Sequence, residues 1–99
     1  MTRSATQGQP RETLRVRVTG VVQGVGYRAA TTRQAHQLKI TGWVRNDDDG
    51  SVEAVIQGEP DQIDRMLEWM RHGPPPARVA DVTSETELSE RRYERFDTL

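Results

Sequence analysis

From Leu14 to Thr19 apolar and polar residues alternate one for one, Leu14, Val16 and Val18 against Arg15, Arg17 and Thr19. A period of two over this length predicts a strand with one face in a core and the other in water. Past the glycines that follow, the period lengthens: Ala30, Thr31, Ala35 and Leu38 form a weak stripe that predicts a helix over residues 28–38. ITGWVRN, DDDG and SVEAVIQG then predict two strands joined by a turn, with Asp49-Gly50 a favoured turn dipeptide and Val52, Ala54 and Ile56 on one face. Pro60 suits the first position of a second helix. Ile63, Met66, Leu67 and Met70 recur there at i, i+3, i+4 and i+7 until His72-Gly73 and a run of prolines end the pattern. At this spacing the methionines and Trp69 belong to a core face rather than to a ligand stripe. ARVADVTSETEL predicts a fourth, polar strand, and YERF a short edge strand.

The order β-α-β-β-α-β is the α+β split βαβ, or ferredoxin-like, sandwich: a mostly antiparallel sheet of four to five strands with two helices on one face. Residues 1–13, MTRSATQGQPRET, contain no apolar run and are expected to form a flexible tail, leaving 14–99 as one domain. A β-α-β crossover makes its two strands parallel, so both end at the same edge of the sheet. That edge should bring residues 20–28 beside Arg45, Asn46 and Asp47.

Chemistry is therefore sought there first. In VVQGVGYR, residues 21–28, Gly24 and Gly26 allow left-handed backbone and consecutive N–H groups aimed at one point. A helix starting at Tyr27 would add its free amides and positive dipole end, and Arg28 a guanidinium able to grip two oxygens of an anion. The same residues could equally make a tight strand-to-helix connection with a solvated arginine. Asn46 could hold a water beside a bound anion, or simply bond its own hairpin turn.

Composition narrows the choice. The net charge is −1, which gives no bulk attraction to nucleic acid, yet residues 1–45 carry eight Lys and Arg against one Glu while residues 46–99 carry six against fourteen acids. The glycine turn lies in the basic half. With no cysteine and only His36 and His72, thiol catalysis and histidine-rich metal sites have no residues to build on, and both histidines are expected on a polar helix face or in a last helical turn. No h-region or membrane-length apolar segment is present, so a soluble, cytoplasmic protein is expected.

Nucleotide motifs fit poorly. Gly24, Gly26 and Ala29 match the dinucleotide fingerprint, with Asp47 near the usual ~20 residues farther on. However, Arg15 and Arg17 contradict a strand buried on both faces, and the chain is too short for two nucleotide-binding halves. No Gly-Lys-Ser/Thr follows for a Walker A loop. An RNA-recognition module would need aromatic strands and a basic sheet, and only Trp43, with Tyr93 and Phe96 near the C-terminus, is on offer.

The residues Val18-Thr19-Gly20, Val22 through Arg28, Thr41-Gly42-Trp43-Val44-Arg45-Asn46 and Asp49-Gly50-Ser51-Val52-Glu53 resemble the acylphosphatase family, over roughly residues 14–97. The resemblance implies hydrolysis of acyl phosphates to a carboxylate and inorganic phosphate, with no metal, cofactor or covalent intermediate. It implies a phosphate site made by the backbone N–H groups of Gln23, Gly24, Val25, Gly26, Tyr27 and Arg28, with the Arg28 side chain as clamp and Asn46 positioning the attacking water. The implied partner is a small acyl phosphate, with phosphate as product and competitive inhibitor, no nucleic acid or membrane, and a monomeric state. Asp47 stands where many members carry a small hydroxyl residue, which bears on how Asn46 is held, and YERFDTL is only loosely family-like. A non-catalytic module binding an acylated or phosphorylated partner is the alternative from another class.

Overall fold

The computed structural model describes residues 11–99 and orders them as β1 (Glu12–Val21), α1 (Tyr27–Gln37), β2 (Thr41–Asn46), β3 (Val52–Gly58), α2 (Pro60–Met70), β4 (Arg78–Thr86) and β5 (Phe96–Thr98). One sheet takes all five strands in the order β4-β1-β3-β2-β5. Every pairing is antiparallel except that of β2 with β5. Glu12 and Thr13, assigned from the sequence to the tail, pair with Gly58 and Gln57, so the strand begins before the expected boundary at residue 14. Residues 1–10 of the expected tail lie outside the described residues.

The alternation in β1 sorts its side chains as its period requires. Val16 and Val18 are fully buried, and their row continues through Ala54 and Val52 to Val44 and Asn46. Both helices cover this face: Tyr27 and Ala35 of α1 and Ile63, Met66 and Met70 of α2 join the valines in one core. Each of these larger side chains contributes roughly 1.5–3 kcal/mol by leaving water. Tyr27 anchors α1 to the end of α2, its ring 5.9 Å from that of Trp69 and its hydroxyl donating to the Met70 carbonyl at 2.7 Å. Burial pushes the Tyr27 phenol well above its usual range, so it stays a neutral donor.

The expected edge strand at YERF is displaced. β5 starts only at Phe96, because the segment before it is bonded to a side chain instead of a strand. Gln57, buried in β3, donates to the Arg91 carbonyl at 2.8 Å and accepts from the Tyr93 N–H at 3.0 Å, while also donating to Thr13 Oγ1 at 2.9 Å. This amide bolts the strap of residues 87–95 across the end of the sheet, carrying the chain from the β4 edge to the β5 edge. His36 and His72 are exposed, at the end of α1 and just beyond α2. No helix among the described residues is long and apolar enough to cross a membrane.

Candidate active site

β1 and β2 both run antiparallel to β3, hence parallel to each other, and their C-terminal ends meet at one edge as the crossover requires. There Gly24, Gly26, Tyr27, Arg28 and Asn46 line a cavity of about 230 Å³ together with Val22, Ala29 and Thr98. Gly24 and Gly26 take φ of +77° and +81°, a left-handed backbone that side-chain-bearing residues resist. Gly26 is also the N-cap of α1, with no side-chain cap. Ala30 makes the first helical bond, to the Gly26 carbonyl at 3.1 Å, so the amides before it have no helical acceptor.

The Arg28 guanidinium donates through Nη1 to the main-chain oxygen of Leu99. Its other N–H groups remain for a second acceptor. Among the described residues it forms no ion pair with an acidic side chain. Opposite stands Asn46, on the helix-covered face of β2, whose side-chain oxygen is buried without a hydrogen-bond partner. An orphaned buried acceptor costs about 1–3 kcal/mol; Gln62 Oε1 of α2 is orphaned as well, and what marks Asn46 out is its place in the lining of the cavity that Arg28 also lines.

Gln23 and Val25 belong to the turn, but their side chains are engaged away from the cavity. The Gln23 amide reaches the β2–β3 turn, and Val25 packs against the core. Tyr27 offers only its main chain, since its ring is buried. Asp47 turns its carboxylate to Arg45, 3.2 Å from Nε, while its main chain closes the turn with Ser51 at 2.9 Å. Asn46 is thus held by its register with Val52 in the hairpin rather than by a hydroxyl neighbour. Thr98 was not legible as a site residue. It arrives through the parallel pairing of β5 with β2, and its hydroxyl lies 2.7 Å from that of Thr32, which bonds the Arg28 carbonyl at 3.0 Å. Among the described residues no group of three or more His, Cys, Asp or Glu is gathered as a metal site.

The acylphosphatase family model matches residues 14–98. The chain belongs to the acylphosphatase family. An acylphosphatase of Paraburkholderia xenovorans is 64% identical over 86 residues, 87% of this chain and 89% of that one. An acylphosphatase of Burkholderia ambifaria is 67% identical over 85 residues, 86% and 87% of the two chains. The solved acylphosphatase of Coxiella burnetii superposes with a TM-score of 0.85 at 39% identity, covering 90% of this chain and 93% of its own. The ferredoxin-like fold and the enzymatic activity expected from the sequence accord with these relatives: as an acylphosphatase the chain hydrolyses small acyl phosphates to a carboxylate and phosphate, and a non-catalytic binding role is not favoured.

Proposed function

We propose that the turn amides of residues 23–28 and the Arg28 guanidinium hold the phosphoryl group, while Asn46 Oδ1 accepts a hydrogen bond from the attacking water. The observation that carries this reading is that Asn46, whose side-chain oxygen has no hydrogen-bond partner, lines the same cavity as Arg28. An acyl phosphate has a good leaving group, because a carboxylate is a weak base and leaves without an acid to protonate it. The protein's task reduces to aligning the water and stabilising charge on the phosphoryl oxygens with donors already in position. The water oxygen forms the new bond to phosphorus, the bond from phosphorus to the acyl oxygen breaks, and the carboxylate leaves with that electron pair. Both hydrogens of the water end on the product H₂PO₄⁻. No step requires a metal ion or a protein nucleophile.

On this reading inorganic phosphate competes with substrate for the same donors. The same reading extends to a chain that works as a monomer in the cytoplasm. The test is Asn46→Ala with benzoyl phosphate as substrate. Losing a group that acts only as the new bond forms should lower kcat by about 10²–10³ while leaving phosphate inhibition near the parental level. Parental kcat in that variant would return Asn46 to a plain hairpin role. Asn46→Asp should be poor in both respects near neutral pH, because its carboxylate repels an anionic substrate.

A further inference from the structure

The phosphate turn and the strand bearing Asn46 are separate pieces of chain, and positive-φ glycines on either side of Val25 leave the turn little stiffness of its own. A Cβ placed on Gly24 or Gly26 would meet nothing within 4 Å, so no packing holds those two positions. The turn is fixed instead at its flanks. Val22 and Tyr27 are buried, and Gln23 donates both hydrogens of its amide to the β2–β3 turn, to the Asp47 carbonyl at 2.8 Å and the Ser51 carbonyl at 2.9 Å. Those carbonyls have one further bond each, from the Gly50 N–H at 3.1 Å and the Asp47 N–H at 2.9 Å. With the glutamine in place both lone pairs of each oxygen are engaged, and a side chain with two N–H donors in one plane is what the gap requires. Asp47 directly follows Asn46, and Ser51 directly precedes its register partner Val52.

We infer that the Gln23 side chain is a positioning residue for hydrolysis: it sets the distance between the amides that hold the phosphoryl group and the asparagine that holds the water. It touches neither substrate nor water. Its effect passes through Asn46, and the inference rests on the role proposed above for that residue. Without the clip the turn keeps its amides and Arg28, so phosphate still binds, but water and phosphorus are no longer held at attacking distance. A misplacement near 1 Å costs on the order of a hundredfold in rate.

The experiment is a double-mutant cycle on Gln23→Met and Asn46→Ala, reading kcat for benzoyl phosphate, the inhibition constant of inorganic phosphate and the thermal midpoint. Gln23→Met should lower kcat roughly tenfold to a hundredfold, with phosphate inhibition within about twofold of the parent. In the Asn46→Ala background the same change should alter kcat by less than about twofold, because the group it positions is already gone. A loss of equal size in both backgrounds, or weakened phosphate inhibition in step with kcat, would make Gln23 a general prop and overturn the inference. Parental kcat in Gln23→Met beside a slow Asn46→Ala overturns the clip alone, whereas parental kcat in Asn46→Ala overturns the water-positioning reading and the clip with it. Gln23→Asn, an amide one methylene too short to reach both carbonyls, stands in should the methionine variant fold poorly, and the same split is expected of it.

Discussion

On the sheet face away from the helices, Arg15, Arg17 and Arg45 are all engaged by acidic side chains. Arg15 lies 2.6 Å from Glu53 and 3.1 Å from Glu87, Arg45 lies 2.6 Å from Glu53, and Arg17 pairs with Asp49. Arg15 and Arg45 also stand 5.5 Å and 5.1 Å from the ring centre of Trp43. At the edge where β1 and β2 end, Arg28 meets a main-chain oxygen and no acidic side chain among the described residues. Both regions contain a hollow of similar size, about 260 Å³ on the open face and about 230 Å³ at the edge. Size therefore does not tell a site from a surface. What differs is whether the cations are paired with acidic side chains: an anion entering the open-face hollow must break such ion pairs, whereas at the edge Arg28 forms none among the described residues.

The largest expected effect follows from exchanging the Arg28 head group. Each charge-assisted bond is worth roughly 1.5–3 kcal/mol, so losing two in Arg28→Ala should lower kcat/KM by about 10²–10⁴ and weaken phosphate inhibition, with little change in thermal midpoint. Arg28→Lys should recover little, since an ammonium cannot reproduce the planar fork. Steady-state rates with benzoyl phosphate decide it, and near-parental kcat/KM in the lysine variant would erase the contrast between the two regions.

On the open face the signs reverse. Arg15→Met should cost about 1 kcal/mol of stability, a small value because these pairs are partly in water, and leave kcat unchanged. Urea denaturation reads the first and turnover the second. Acid reads the same carboxylates. Asp49 is held well below the usual range by the Ser51 hydroxyl and N–H and by Arg17. Glu87 is lowered by its bonds to Arg15. Burial works against the charge on Glu53, but Arg15 and Arg45 outweigh it and lower this group too. Depressed folded-state values stabilise the fold above the unfolded carboxylate range near pH 4 and cease to do so as pH falls below it. Thermal midpoints should therefore drop between pH 4 and pH 2 and drop less steeply in Arg15→Met; identical slopes would mean these pairs do not set acid stability.

A smaller effect is expected at Thr98, whose hydroxyl bonds Thr32 beside Arg28. One neutral hydrogen bond is worth about 1 kcal/mol, so Thr98→Val should raise KM about fivefold and Thr98→Ser should restore it. The smallest is none at all: if Arg28 supplies the positive charge of the site, exhaustive chelation leaves turnover unchanged, and a loss reversed by Mg²⁺ or Zn²⁺ would assign that charge elsewhere.

The parts legible in the sequence are those set by local periodicity. Alternation in β1, the Asp49-Gly50 turn and the stripe of α2 each depend on neighbours a few residues away, and each formed close to where its pattern put it. The glycine turn and Asn46 were legible for a further reason: β-α-β geometry alone carries them to one edge. Gln57, Thr98 and the side-chain bonds of Gln23 were not legible. A glutamine that bolts a strap, a threonine brought in by a parallel edge strand and an amide that spans two loops take their meaning from residues far along the chain, and no periodicity records such pairings.

The bond between Arg28 and Leu99 joins residues 71 apart in sequence. Closing an unstructured loop of that length costs on the order of 4 kcal/mol in chain entropy, which pairing of the intervening strands must offset before this bond can form. The edge that carries Arg28 and Asn46 is therefore expected among the last parts of the molecule to assemble, whereas α1 and α2 draw on contacts close in sequence and should form early. On refolding, helical signal should return ahead of turnover. If Arg28 works as proposed, recovered activity will report that the α1 start and the β5 end have come together, and recovered secondary structure alone will not.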